Sequence, residues 1–160
     1  MSDNENKYYL ILDNIRSSEN VGALFRTADA VGITKVFLTG VTPTPIDRFG
    51  REQTKIAKAA LGAELDIPWE HVEKVEDAVA RAKREGFTVF GLEQCEEAID
   101  YKKCIPQGDT AFLVGREVDG LSEELINLCD HVCVIPMKGN KESLNVSVAA
   151  GILLYRALDR

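Results

Sequence analysis

The chain has 160 residues, the length of one ordinary domain with a real core and too short for two. Apolar residues make up 45% and charged residues 28% of it, which excludes disordered, collagenous and disulfide-scaffold classes. Nineteen Lys and Arg against 26 Asp and Glu give a formal net charge of -7, so nucleic acid would need a local basic patch. Such a patch has only two places to form. Residues 1–60 carry eight basic and seven acidic side chains, residues 61–130 seven and seventeen, and residues 131–160 four and two.

Met1 to Lys7 is polar, without the apolar stretch of a secretory signal, and positions 1–6 are expected to be disordered. Tyr8 to Leu12 reads as a buried strand, and Ser18 to Val31 as a helix with Val21, Leu24, Phe25 and Ala28 on one face. Arg26 falls near that face, where a guanidinium needs a partner or an anion. Val36 to Leu38 reads as a second strand, followed by a Pro, Thr and Gly-rich loop from Gly40 to Gly50 and a basic helical stretch from Arg51 to Leu61. Further strands are expected at Trp69–Val72, Phe87–Leu92, Ala111–Val114 and Val132–Ile135, with helices at Val75–Glu85, Ser122–Leu128 and Asn145–Leu158. This alternation predicts an α/β fold, a mainly parallel sheet flanked by helices, in one domain over 1–160 with no extra RNA-binding domain.

No apolar run is long enough to span a bilayer, and a cytoplasmic location is expected. Cys95, Cys104, Cys129 and Cys133 form no C-x-x-C pair and read as reduced, packed thiols, with no disulfide. The run from Cys129 through His131 to Cys133 lacks the second ligand pair of a zinc site, so no metal is expected. Neither G-x-G-x-x-G nor a G-x-x-x-x-G-K-[ST] loop occurs, which removes Rossmann dinucleotide binding and P-loop hydrolysis.

Ligands of parallel sheets sit beyond the carboxyl ends of the strands, and three of the loops there are unusual: Asn14–Gly22, Gly115–Ser122 and Pro136–Asn145. Each has a bland explanation. Gly115 and Gly120 suit positive φ, Ser122 suits a helix N-cap, and Ser143 or Asn145 suits the cap of the last helix. Together, however, the segments Asn20–Gly32, Gly115–Ser122, and Ile135–Gly139 with Ser143–Gly151 resemble the three motifs of the SpoU (TrmH) class of SPOUT RNA ribose 2'-O-methyltransferases. The resemblance runs from Tyr8 to Leu158, with one departure: Arg116 stands where that family often has Asn.

The resemblance implies a C-terminal trefoil knot, S-adenosyl-L-methionine as cofactor, and methylation of a ribose 2'-hydroxyl in tRNA or rRNA. By motif position it assigns the cofactor to Leu92, Gly115, Ile135, Met137 and Leu144, and catalysis to Arg26 with Asn20, Glu117, Ser143 and Asn145. It further implies a homodimer in which the arginine of one subunit faces the cofactor of the other. The apolar last helix, with Val146, Val148, Ile152, Leu153 and Tyr155, agrees with burial against a partner. RNA contact falls to Arg16, Arg48, Arg51, Lys55, Lys58, Lys138 and Lys141, and without RNA-binding extensions affinity is modest or an accessory protein assists. The alternatives are a catalytically weak RNA-binding or assembly protein retaining the fold, favoured by the acidic charge and Arg116, and a small-molecule methyltransferase.

Overall fold

A computed structural model describes residues 5–160; positions 1–4 of the segment expected to be disordered lie outside the described residues, and Glu5 and Asn6 are exposed chain without regular structure. Seven strands form one sheet: β1 (Tyr8–Asp13), β2 (Lys35–Thr39), β3 (Trp69–Val72), β4 (Thr88–Leu92), β5 (Ile99–Asp100), β6 (Thr110–Val114) and β7 (His131–Val134). Their spatial order is β3-β2-β1-β6-β4-β7-β5, and every pairing is parallel. The helices are α1 (Ser18–Val31), α2 (Thr54–Ala60), α3 (Ala63–Asp66), α4 (Val75–Arg84), α5 (Glu123–Leu128) and α6 (Val146–Ala157).

Parallel strands must be covered on both faces, so alternate side chains of β1 go to opposite layers. Leu10 and Leu12 enter a core closed by α1, α2, α3 and α6, whereas Ile11 enters a second core with Phe37, Leu113 and the α4 residues Val75, Ala78 and Val79. Helix α1 is bounded by its own sequence. Ser17 accepts the Asn20 N–H at the N-terminus, and Gly32 ends the helix in the left-handed region at φ 90°. Gly22 serves a different need, because a Cβ there would lie 2.6 Å from both the Ala59 Cβ and the Ile56 carbonyl oxygen of α2. The two helices cross at that glycine.

Several expectations change. Arg26 is exposed on α1, not near its apolar face: at ~100° per residue it lies about 150° round from the middle of the Val21–Leu24–Phe25–Ala28 stripe. The basic helical stretch begins only at Thr54, because Asp47 accepts the backbone N–H groups of Phe49 and Arg51 and holds the preceding segment in a turn. Gly115 is not a positive-φ residue; only Gly120 of that pair is, at 63°. Cys104 and Cys133 are joined in a disulfide, where reduced thiols were expected. Their contact arises from β5, a two-residue strand pairing Ile99 with Cys133, which returns the following turn beneath β7. Cys95 and Cys129 remain free.

The α1–α2 crossing yields a stability test. Gly22→Ala forces a methyl group into the contact and should cost about 2 kcal/mol, lowering Tm by about 4–8 °C. Gly108→Ala, with nothing within 4 Å of the added carbon, should leave thermal unfolding unchanged. Equal Tm values for the two variants would show that the crossing is not tight.

Candidate active site

The carboxyl ends of β1, β4, β6 and β7 open onto a shared region where the three unusual loops converge. Glu117, in the loop after β6, accepts hydrogen bonds from the backbone N–H of Arg16 (3.2 Å) and Ser17 (3.0 Å) and from the Asn20 side-chain amide (3.2 Å). Asn145 donates its amide to Asn20 Oδ1 at 3.2 Å. Its own Oδ1 caps α6, accepting from the Ser147 N–H (2.9 Å) and hydroxyl (2.6 Å). Asn20 therefore joins all three loops through one side chain, using its oxygen toward Asn145 and its nitrogen toward Glu117.

Burial pushes the Glu117 carboxyl up, but the backbone donors of Ser17 and Arg16 and the Asn20 amide outweigh it and hold the pKa below the ordinary carboxylate range. The group is thus an anion at neutral pH, with its lone pairs already engaged. It is an anchor rather than a proton donor.

Beside this network lies an open cleft whose enclosed part is about 130 Å³. Leu92, Gly115, Ile135, Met137 and Leu144 all line it, together with Ser143 and Glu117. Gly115 is required by space, since a Cβ would meet the Gly120 backbone at 2.7 Å. The loop after β6 is held in place by Glu93, a residue the sequence did not single out. The Glu93 carboxylate accepts the Leu121 N–H at 2.7 Å and the Gln94 N–H at 2.8 Å, and its oxygen lies where any side chain on Gly120 would begin.

Arg26 is not part of this network. It is exposed, about 9 Å further along α1 than Asn20, and takes part in no ion pair or side-chain hydrogen bond among the described residues. Helix α1 packs on α6, with Thr27 beside Gly151. Along α6, Val148 (50% exposed), Ile152 and Tyr155 (42% exposed) recur at i, i+4 and i+7 as an outward apolar stripe, whereas Val146 and Leu153 are buried.

The cations expected to meet RNA are all exposed, and two are already engaged. Arg51 pairs with Asp47 at 2.9 Å, and Lys55 reaches Glu19 at 3.9 Å. Phe49, 66% exposed, has the Arg48 and Arg51 guanidinium groups 4.8 and 5.0 Å from its ring centre. The exposure of this ring was not legible from the loop's composition.

An all-parallel sheet flanked by helices, with loops converging at the carboxyl ends of its strands, is an α/β domain built to bind a ligand at that edge. Residues 7–155 match the SpoU rRNA Methylase family, and the chain belongs to it. It is 33% identical over 146 residues to the tRNA (guanosine(18)-2'-O)-methyltransferase of Escherichia coli (strain K12), covering 91% of this chain and 60% of that protein. The Aquifex aeolicus protein of the same name is 32% identical over 149 residues, covering 91% and 65%. The chain thus spans under two thirds of the length of these relatives. Among solved structures, an AdoMet-bound rRNA methyltransferase from Sinorhizobium meliloti superposes with a TM-score of 0.84 at 28% identity, over 98% of this chain and 57% of that one. The A. aeolicus TrmH/SpoU tRNA modifying enzyme gives 0.83 at 27% identity, over 97% and 75%.

The Glu117 anchor has a pH signature. A carboxyl whose folded pKa is lowered contributes stability above its unfolded pKa of ~4.3 and loses it as pH falls through the folded value. Glu117→Gln should therefore be less stable than wild type at pH 7, and the gap should narrow below pH ~4. Denaturant melts at both pH values check this, and a gap that does not depend on pH would contradict it.

Proposed function

We propose that the protein is an S-adenosyl-L-methionine-dependent RNA methyltransferase acting on a ribose 2'-hydroxyl of tRNA or rRNA, as a homodimer with composite sites. One observation carries the reading: five cofactor positions named by motif alone line a single cleft that also holds Glu117, the anchor to which Asn20, and through it Asn145, is bonded. The names of the relatives support the RNA substrate, and the AdoMet-bound neighbour supports the cofactor.

The cleft fits that cofactor. Leu92, Ile135 and Leu144 offer apolar walls to an adenine ring, and the backbone turns at Gly115 and Met137 offer N–H and C=O groups for its edge. When bound, S-adenosyl-L-methionine supplies an electrophilic methyl group on a sulfonium. The chain's own residues do the rest. Asn20 and Asn145, locked by each other and by Glu117, orient the ribose, and Ser143 at the exposed mouth meets its hydroxyl. Glu117 is a poor base, since its lowered pKa and three donors hold it anionic. The developing alkoxide then depends on donors rather than on a base, and the hydroxyl proton leaves to solvent.

Arg26 is the missing donor. Its exposure, one residue before Thr27 where α1 meets α6, suits a side chain that reaches into a partner's site when two copies of α6 pack, where its planar fork holds the phosphate and stabilises the alkoxide. The C-terminal knot is supported by the likeness to solved members of the fold. No helix among the described residues is long and apolar enough to cross a membrane, and a cytoplasmic location agrees with an RNA substrate. With Arg51 and Lys55 partly neutralised, RNA affinity rests on Arg16, Arg48, Lys58, Lys138, Lys141 and Phe49, which leaves room for an accessory protein.

Two experiments test the reading. Calorimetry should detect S-adenosylhomocysteine binding to wild type and none to Leu144→Glu, which sets a charge against the apolar wall; equal affinities would remove the cofactor assignment. In methyl-incorporation assays on tRNA and rRNA, Arg26→Lys should lose roughly 100-fold in maximal rate with unchanged cofactor affinity. Phe49→Ala should instead raise the RNA KM, with about 1–3 kcal/mol of stacking lost and a nearly intact rate. A rate loss in Phe49→Ala, or none in Arg26→Lys, would reverse the assigned roles.

A further inference from the structure

The disulfide between Cys104 and Cys133 has no part in the proposed reaction, yet it joins two segments that bear on the cofactor cleft. Cys133 is the third residue of β7, two before the cleft wall at Ile135, and its carbonyl accepts the Glu93 N–H at 3.0 Å. Glu93 lines the same cleft and holds the Leu121 N–H. Cys104 ends a 3-10 turn, Tyr101–Lys103, which packs against α6, the helix that brings Val146 and Ala149 to the cleft. The bond therefore fastens the β7 wall to the segment that supports the α6 wall.

Apart from that bond, the Cys104 segment is weakly held to the sheet. Strand β5 has two residues, lies at the sheet edge, and pairs only Ile99 with Cys133 and Asp100 with Val134. An element with so few pairs opens at low cost. Both cysteines are sealed, Cys104 at 1% and Cys133 at 0% exposure, so a reductant reaches the sulfurs by opening this edge, where Ile99, Lys102 and Lys103 face solvent. In the cytoplasmic setting proposed above, where thiols are kept reduced, a disulfide is usually a transient, redox-sensing bond rather than a permanent staple.

We propose that the Cys104–Cys133 pair is a redox switch of the cofactor cleft: the disulfide form holds the cleft ready for S-adenosyl-L-methionine, and the dithiol form, with β5 and its turn released, binds it more weakly. The reductant is a dithiol. Its thiolate attacks one sulfur to form a mixed disulfide, and the other sulfur leaves as a thiolate and takes up a proton. The second thiol of the reductant, as thiolate, then displaces the first protein sulfur, which is protonated in turn. Two electrons and two protons thus pass to the chain, which gains two thiols while the reductant gains one disulfide. The choice of ligand rests on reading the cleft as the methyl-donor site. Linkage is reciprocal, so bound ligand must resist reduction by the same factor that reduction weakens binding.

The test compares the full chain purified without reductant and after dithiothreitol treatment. Thiol titration of the denatured protein should count two thiols before and four after. In calorimetry the Kd of S-adenosylhomocysteine should rise about tenfold on reduction, within the ~5–150-fold span of coupled sites, and saturating ligand should raise the dithiothreitol needed for half reduction by the same factor. Cys104→Ala should bind as the reduced form does and ignore dithiothreitol. Four thiols before treatment, equal constants in the two forms, or a response to dithiothreitol surviving in Cys104→Ala would each overturn the proposal. Amide hydrogen exchange at Glu93, whose N–H rests on the Cys133 carbonyl, separates the switch from the reading beneath it. It should quicken on reduction with no ligand present. If S-adenosylhomocysteine binds neither form while that exchange quickens, the methyl-donor reading falls and the redox device stands; exchange that does not change would sink the device itself.

Discussion

The hydrogen-bonded chain from Glu117 through Asn20 to Asn145 is the constraint on which the site depends. Three loops from three parts of the sequence meet there, separated by 97 residues between Asn20 and Glu117 and by 125 between Asn20 and Asn145. Glu117 ties the start of α1 to the loop after β6 through two backbone N–H groups, and Asn145 couples the same point to the cap of α6. Loss of Glu117 leaves the Ser17 N–H and the Asn20 amide unpaired in a partly buried setting, where each costs ~1–3 kcal/mol, whereas the Asn20–Asn145 bond is exposed to solvent. The cleft beside the network keeps its shape because these loops cannot move independently.

Glu93 performs a similar service on the opposite wall. It receives one N–H from its own loop and one from the loop after β6, so two carboxylates, each bonded to backbone N–H groups, fix the loops that line the cleft. Glu117, held anionic by its donors, anchors geometry rather than moving a proton. That division agrees with a reaction whose barrier is lowered by alignment and by a cation, and with the placement of that cation, Arg26, on a free surface rather than inside the network.

Much of the fold was legible because its signals are local. Helix α1 has the limits that its periodicity, Ser17 and Gly32 dictate, and β3 was read at its observed ends. Elements of two and four residues, β5 and α3, carry no period and were missed, and with β5 went the route by which Cys104 reaches Cys133. The motif residues were legible by resemblance, and the five cofactor positions do converge on one cleft. Glu93 and Phe49 were not. Each acquires its character from a partner or an exposure fixed by the fold: Leu121 lies 28 residues from Glu93. Arg26 was placed near the apolar face, and the structure puts it in solvent, next in sequence to Thr27, which touches Gly151 of α6.

The central claim is that one chain carries two half-sites, a cofactor cleft with its ribose network and an arginine meant for another copy. Mixing subunits tests it most directly. Arg26→Ala and Leu144→Glu are each expected to be inactive alone, the first lacking the donor and the second the cofactor. If the site is composite, unfolding and refolding them together should restore about a quarter of wild-type methylation: half of the dimers are mixed, and each mixed dimer has one complete site of two. If Arg26 serves the cleft of its own chain, no mixed dimer holds a complete site, and the mixture should stay as inactive as its components.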